Sequence, residues 1–501
     1  MPTVTDVPPP TATATETATA HPALEVWEPG KVPDDEQLRQ FVSGMSLADK
    51  IGQMMLVGFS GQSLKDAPQL ETLISTYHVG GLILQGRSAR NPRQLSQLLA
   101  DAQDLAAETG SGIPLFVSIN HEGGSIVHIA EGVTHFPGNM ALGATGRTDY
   151  AYLAAAMAAD ELRAMGINMN LAPVLDVNKD PLNPIIGARS FGGSPDLVKA
   201  MGRETIKGLQ QQGVIAVGKH YPGHGSVRVD SHAGLPVLEK EASELEEIEL
   251  PPFEMAVGAN VEAIMTAHIA VPAWEPEPNL PATLSANIVT GILRHRMGYD
   301  GIIMTDSLGM GAISRRWTQA EAAVEAVKAG ADMVLSTGPF EVQEGIHDAL
   351  VTAVQNGAIP LRRIDASVLR ILRVKHKYRL FEKQQRVDRS TLNSAEHQAM
   401  ADEIGLASIT VYKDDDELVP LPKDVRRLLV ISPRRLPSAS EGDGTLLAEE
   451  LRGHGYDVTE LVFDVSQTGS RDTIYTRALE LAPEHDLVIF GEWQLIGRYT
   501  R

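Results

Sequence analysis

From Gln53 to Gly357 the chain alternates short apolar runs with longer segments of helical apolar spacing, eight times in succession. The runs Met54–Phe59, Gly81–Gln85, Leu115–Asn120, Asn168–Pro173, Ile215–His220, Ala263–Ile269, Ile302–Asp306 and Met333–Thr337 read as buried strands. Most precede a segment with the 3.6-residue repeat of a helix, such as Gln94–Thr109, Asp149–Gly166, Leu197–Gly213 and Gln319–Gly330. Glycine stops at 166, 213 and 330 lie just before new strands, as expected where a helix turns back into a sheet. Eight consecutive strand–helix units predict an α/β fold, a (β/α)8 TIM-type barrel over residues 35–380. An open doubly wound sheet is the structural alternative.

Beyond the repeat the pattern changes. Residues 361–400 read as helices leading out of the barrel, with a linker at 381–405. Strands at Arg427–Ser432, Tyr456–Phe463 and Asp486–Phe490, with helices at Gly444–Gly453 and Ser470–Leu481, predict an α/β sandwich over 406–501. Only about 95 residues remain for this second domain and Gly491–Arg501 does not complete an element, so a shortened or truncated domain is expected. At the other end, 15 of the first 20 residues are Thr, Pro or Ala, a composition too poor in large apolar side chains to offset its ordering entropy. Residues 1–34 are therefore expected as a disordered tail. The tail lacks the basic start and apolar run of a signal peptide. Its composition leans toward an extracytoplasmic location reached through a signal lying upstream; a cytoplasmic location stays open.

Composition narrows the function. With 43 Lys+Arg against 64 Asp+Glu the net charge is −21, which argues against nucleic acid or an anionic membrane as the main partner. The absence of cysteine excludes disulfides, thiol nucleophiles and zinc–thiolate sites. No run of about 18 apolar residues predicts a membrane span.

Polar residues gather where a barrel places its chemistry, at the strand exits. Asn120-His121-Glu122 follows the third strand, Asp176 and Arg189 the fourth, and Lys219 and His220 end the fifth. His268 lies near the end of the sixth and Asp306 ends the seventh. A carboxylate after a buried strand is held rigidly, which suits a nucleophile, although a helix cap would use the same residue. The loop KHYPGHGSVRVDSH carries three His, one Lys, one Arg and one Asp within residues 219–232. Asp230 lies two residues before His232, close enough to fix the imidazole tautomer and favour its charged form. Such a histidine gives and retakes protons, the work of a general acid/base. A metal site would use the same histidines. Their spacing fits no standard zinc pattern, and Lys219 and Arg228 would repel a cation, so no metal or cofactor is expected.

Four stretches carry a resemblance to glycoside hydrolase family 3, specifically its β-N-acetylglucosaminidase branch. They are NHEGGSIVHI with FPGNMALGAT (Asn120–Ile129, Phe136–Thr145), NLAPVLDVN with NPIIGARSFG (Asn170–Gly192), KHYPGHG with DSH and LP (Lys219–Pro236), and MTAHI with PATLS and GYDGIIMTDSLGM (Met265–Met310). The resemblance implies that Asp306 is the nucleophile and His232 the acid/base paired with Asp230. It further implies that Arg189, Lys219, His220 and Asn120 grip sugar hydroxyls, and that Met265 and His268 line the same pocket. Two departures from the family pattern matter: Asn120 replaces an aspartate expected to bind hydroxyls, and Ser125 replaces an arginine.

The expected activity is that of a retaining exo-β-N-acetylglucosaminidase acting on muropeptide or chitin-type oligosaccharides through a glycosyl-aspartate. Peptidoglycan turnover is one setting for it. A β-N-acetylglucosaminide phosphorylase is the alternative, because an imidazole tolerates incoming phosphate better than a carboxylate does. An inactive sugar-binding protein is the alternative outside catalysis. The partner in each case is a carbohydrate; the sequence does not set the oligomeric state.

Overall fold

The computed structural model describes residues 29–86, 88–89, 91–129, 131–382, 389–433, 446–463 and 470–491. Most of the tail expected at residues 1–34, and all but the first residue of the segment 491–501, lie outside these. Of the tail, Gly30 is described and donates its N–H to the carbonyl of Lys377 at 2.7 Å. Asp34 then caps the helix Asp35–Gly44 by accepting from the Gln37 N–H.

Eight parallel strands close into a barrel: β1 (Met55–Gly58), β2 (Gly81–Leu84), β3 (Phe116–Ile119), β4 (Met169–Asn170), β5 (Ile215–Tyr221), β6 (Ala263–Thr266), β7 (Ile302–Ser307) and β8 (Met333–Ser336). Each pairs with its neighbours in sequence, and β8 returns to β1 through Met55↔Val334 and Leu56↔Leu335. The strands are buried nearly throughout, and this is why they read as continuous apolar runs rather than alternating ones. Truncating one such side chain, for example Ile303→Ala, is expected to cost about 2–5 kcal/mol.

β4 is much shorter than the apolar run Asn168–Pro173 suggests. Pro173 has no N–H to give to a ladder. Asparagine side chains bridge to β3 instead: Asn168 Oδ1 accepts from the Val117 N–H at 2.8 Å, and Asn170 exchanges bonds with the backbone of His121 at 3.1 and 2.8 Å. The surrounding helices, including Pro92–Glu108, Thr148–Ala164, Pro195–Gln211 and Gln319–Ala329, match the predicted ones within two residues at each end. Prolines at the first helical position and the Thr318/Glu321 capping box set their starts.

Residues 381–405, expected as a linker, contain most of the helix Ala395–Ala407, which packs on the barrel. Met400, Ala401 and Ile404 join a buried cluster with Phe136, Leu142 and Tyr150. His397 pairs with the buried Glu161 at 2.8 Å. A separate parallel sheet follows, in the order β10–β9–β11, from β9 (Arg427–Pro433), β10 (Asp457–Phe463) and β11 (Leu487–Phe490). Among the described residues no helix is long and apolar enough to cross a membrane.

Candidate active site

Every polar residue singled out at a strand exit sits at the carboxyl-terminal end of the barrel or in the loops beyond it. On one side, a two-stranded ribbon (His121–Gly123 with Ile126–Val127) carries Glu122 inward from the end of β3. Glu122 is 2 % exposed and is gripped by two cations. Arg189 donates to it twice, Nε to Oε2 at 2.9 Å and Nη2 to Oε1 at 2.8 Å, and Lys219 Nζ approaches Oε1 at 2.6 Å. The same ammonium donates to Asn120 Oδ1 at 2.8 Å. Burial would raise the Glu122 carboxyl, but Arg189 and Lys219 hold it well below the usual carboxylate range. Burial pulls the Lys219 ammonium below its ordinary value, with Glu122 opposing and Arg189 adding to the effect. Asn120, Arg189 and Lys219 thus form one connected patch, organised by a carboxylate.

A second buried carboxylate organises the end of β5. Asp176, on the loop after β4, is fully buried. Its oxygens accept from His220 Nδ1 at 2.7 Å, from the His220 backbone N–H and from the His224 N–H at 2.7 Å. Burial would raise Asp176, but His220 and His224 bring it below its ordinary value. The Lys219–His220 peptide is cis. Gly225 is pressed against the loop after β4, where an added Cβ would lie 2.0 Å from the Val177 carbonyl oxygen. That glycine acts as an anchor for the loop. His224 Nε2 meets Ser231 Oγ at 3.0 Å, tying the start of the loop to the Asp230–His232 turn.

In that turn Asp230 Oδ1 accepts from both the backbone N–H and the ring Nδ1 of His232, each at 2.8 Å. The His232 side chain is 43 % exposed, and Asp230 is less so. The turn does not float over the barrel. The Gly311 and Ala312 N–H groups, just after β7, donate to the carbonyls of His232 and Ser231 at 3.1 and 3.0 Å.

β7 supplies Asp306, half-buried at the barrel mouth. Its Oδ1 accepts from the Ser307 N–H at 2.7 Å. Burial would raise this carboxyl; the nearby histidines His220, His268 and His232, with the Ser307 N–H, bring it below its ordinary value, so it is a carboxylate at neutral pH. Asp306 therefore lies within electrostatic reach of the imidazole of His232. His268, after β6, is buried, with Nε2 on the Ser307 carbonyl at 3.0 Å and Nδ1 on Thr283 Oγ1 at 2.9 Å. Both its ring nitrogens engage protein groups, and it braces the end of β7 directly beside Asp306. Met265 is buried in β6, in register with Met304.

The predicted residues thus converge. Two carboxylates given no role by sequence reasoning, Glu122 and Asp176, organise the cations and histidines around them. The signal that marked Asp306, a carboxylate following a buried strand, was present for both. Among the described residues no group of three or more His, Asp or Glu side chains is arranged to hold a metal ion.

Comparison with known proteins agrees with this architecture. Residues 46–374 match the family described as "Glycosyl hydrolase family 3 N terminal domain". The chain is 32 % identical over 459 residues to Beta-hexosaminidase A of Pseudoalteromonas piscicida, covering 83 % of this chain and 76 % of that one. Its fold superposes with a TM-score of 0.82 on a glycoside hydrolase family 3 beta-N-acetylglucosaminidase from Paenibacillus sp. str. FPU-7, at 40 % identity, covering 89 % of this chain and 84 % of that one. It also superposes, with a TM-score of 0.79 at 25 % identity, on the beta-glucoside phosphorylase BglX bound to 2FGlc, covering 91 % of this chain and 82 % of that one.

Proposed function

Because the chain belongs to glycosyl hydrolase family 3, and is a glycoside hydrolase of the β-N-acetylhexosaminidase type, we propose that it removes terminal β-linked GlcNAc with retention, using Asp306 and His232. The observation that carries this reading is the joining, by the Gly311 and Ala312 N–H groups, of the segment that follows Asp306 on β7 to the turn in which Asp230 holds the His232 imidazole.

The steps follow from those two groups. Asp306 attacks the anomeric carbon while the protonated His232 gives a proton from Nε2 to the departing oxygen. Asp230, on the opposite ring nitrogen, stabilises the imidazolium before that transfer and keeps the tautomer correct after it. The products of this half are a glycosyl ester on Asp306, a free alcohol and a neutral His232. Water then attacks the ester; His232 takes its proton, and Asp306 leaves as a carboxylate. Arg189, Lys219, His220 and Asn120 are proposed to bind sugar hydroxyls, with Glu122 and Asp176 fixing their geometry. Terminal GlcNAc on muropeptide or chitin-type oligosaccharides is the proposed substrate class.

A phosphorylase is the second reading, supported by the imidazole acid/base and by the likeness to a beta-glucoside phosphorylase. In that case phosphate replaces water in the second half, and the product is a sugar 1-phosphate. One experiment tests both. Chromogenic β-GlcNAc and β-Glc glycosides are hydrolysed side by side, with and without phosphate. The proposal expects faster release from β-GlcNAc, with free sugar as product even when phosphate is present. Sugar 1-phosphate as the main product would favour the second reading, and no release from either glycoside would refute both.

A further inference from the structure

Asp306 and His232 are 74 residues apart in sequence, so something must hold the histidine turn against the strand that bears the aspartate. Two backbone hydrogen bonds make the contact. After β7 the chain turns at Met310, whose N–H returns to the Ser307 carbonyl at 3.1 Å, and enters the short helix Gly311–Ser314. The first two N–H groups of that helix point at the histidine turn: Gly311 donates to the His232 carbonyl at 3.1 Å and Ala312 to the Ser231 carbonyl at 3.0 Å. These donors have no partner inside their own helix, so a neighbouring carbonyl is a fitting acceptor.

Position 311 has no room for a side chain. A Cβ there would lie 2.5 Å from the His232 carbonyl oxygen, 3.0 Å from the Ala233 carbonyl carbon and 3.1 Å from its oxygen. All three are backbone atoms of the turn that carries the acid/base, so no side-chain rotation relieves the clash. The backbone of Gly311 is not in the left-handed region, so its own dihedrals would accept alanine. The constraint is the close approach of the histidine turn.

We propose that Gly311 is a positioning residue for the reaction: its bare Cα is the seat on which the His232 turn docks. The docking ties the proton donor to the same segment that carries the nucleophile, five residues after Asp306. The catalytic part of this inference rests on the function proposed above; the docking contact does not.

The test uses the full chain with Gly311→Ala, and with Ala312→Pro as a second variant. The latter removes the donor to Ser231 within the first turn of the helix, where that N–H has no intrahelical partner to lose, and it leaves position 311 a glycine. Peptide-level hydrogen exchange reads the docking, over residues 226–236 and 308–316. Relative kcat/KM on p-nitrophenyl β-GlcNAc and on chitobiose reads the chemistry, since only the second needs a strong proton donor. The expected result is faster exchange in both segments in each variant, with kcat/KM on chitobiose falling about tenfold more than on the aryl glycoside. In a His232→Ala background, Gly311→Ala should add no further leaving-group dependence. Unchanged exchange, equal losses on both substrates, or an additional leaving-group effect without His232 would each overturn the proposal. An inactive wild-type chain whose exchange still rises in Gly311→Ala would refute the glycosidase reading while supporting the docking contact.

Discussion

A single oxygen of Asp230 accepts both the backbone N–H and the ring Nδ1–H of His232, each at 2.8 Å. The double contact fixes where the ring stands and which nitrogen lies opposite the carboxylate. It also places a negative charge where an imidazolium gains most from it. Asp230→Asn keeps an oxygen for the N–H but removes the charge. We expect kcat/KM for glycosides with poor leaving groups to fall about 10²-fold, and activated aryl glycosides to lose much less. A series of aryl and alkyl β-GlcNAc substrates gives the slope against leaving-group pKa, which should steepen in the variant.

Asp306→Asn should be nearly inactive toward every substrate, good leaving group or poor, by about 10³-fold or more. The amide can still accept the Ser307 N–H, so the thermal midpoint should barely move. Comparing thermal unfolding with turnover separates a lost nucleophile from a damaged barrel.

Glu122→Gln addresses a residue that never touches the proposed bond-breaking centre. It leaves two buried cations, Arg189 and Lys219, without their shared anion. Breaking such a buried arrangement on one side costs about 3–5 kcal/mol. The variant should melt earlier and bind substrate less well, with KM rising more than kcat falls. Isothermal denaturation together with Michaelis constants on an aryl β-GlcNAc tests this; an unchanged KM would count against the proposed grip of Arg189 and Lys219 on the sugar.

Acid should destabilise the barrel through two buried histidines. Burial pulls both His121 and His224 down to about 4, from an ordinary value of 6.5. Above pH 6.5 each is neutral in folded and unfolded chains alike and contributes nothing to pH dependence. Between 6.5 and 4 the unfolded chain takes up protons that the folded one refuses, so stability is lost as pH falls, at about 1.4 kcal/mol per pH unit for each histidine. His121→Gln removes one of the two. Urea denaturation at several pH values should give a shallower decline over this window for the variant than for the wild type.

The barrel was legible because its strands are buried on both faces. Continuous apolar runs such as Ile302–Met304, ending in a polar residue, allow little else when repeated eight times. Strand four was overestimated because Leu171 and Ala172 are as apolar as the strand residues before them, while Pro173 withholds the N–H a ladder needs. The helix Ala395–Ala407 reads largely as linker because few of its residues are apolar and buried: Met400, Ala401 and Ile404 join the cluster with Phe136, while His397 is buried through its pairing with Glu161. Within the site, local sequence marks Asp306, Asp230 and His232 as candidates, a strand-end carboxylate and a carboxylate two residues before an imidazole, and the roles proposed for them come from the resemblance to glycoside hydrolase family 3. Glu122 and Asp176 were not given their roles, because their partners Arg189 and Lys219, and His220 and His224, come from different strand exits. Only closure of the barrel brings them together. The seat at Gly311 was hidden for the same reason, since nothing in GMGAIS names the carbonyl that fills the space of the missing side chain.

The central claim is that Asp306 bonds to the sugar during turnover. A 5-fluoro β-N-acetylglucosaminyl donor with an activated leaving group slows the breakdown of such an ester, and peptide mass mapping of the treated protein then locates the adduct. The account predicts the sugar mass on the peptide containing residues 302–310, at Asp306, and its absence from Asp306→Asn. The same mass on another carboxylate, such as Asp176 or Glu122, would contradict it.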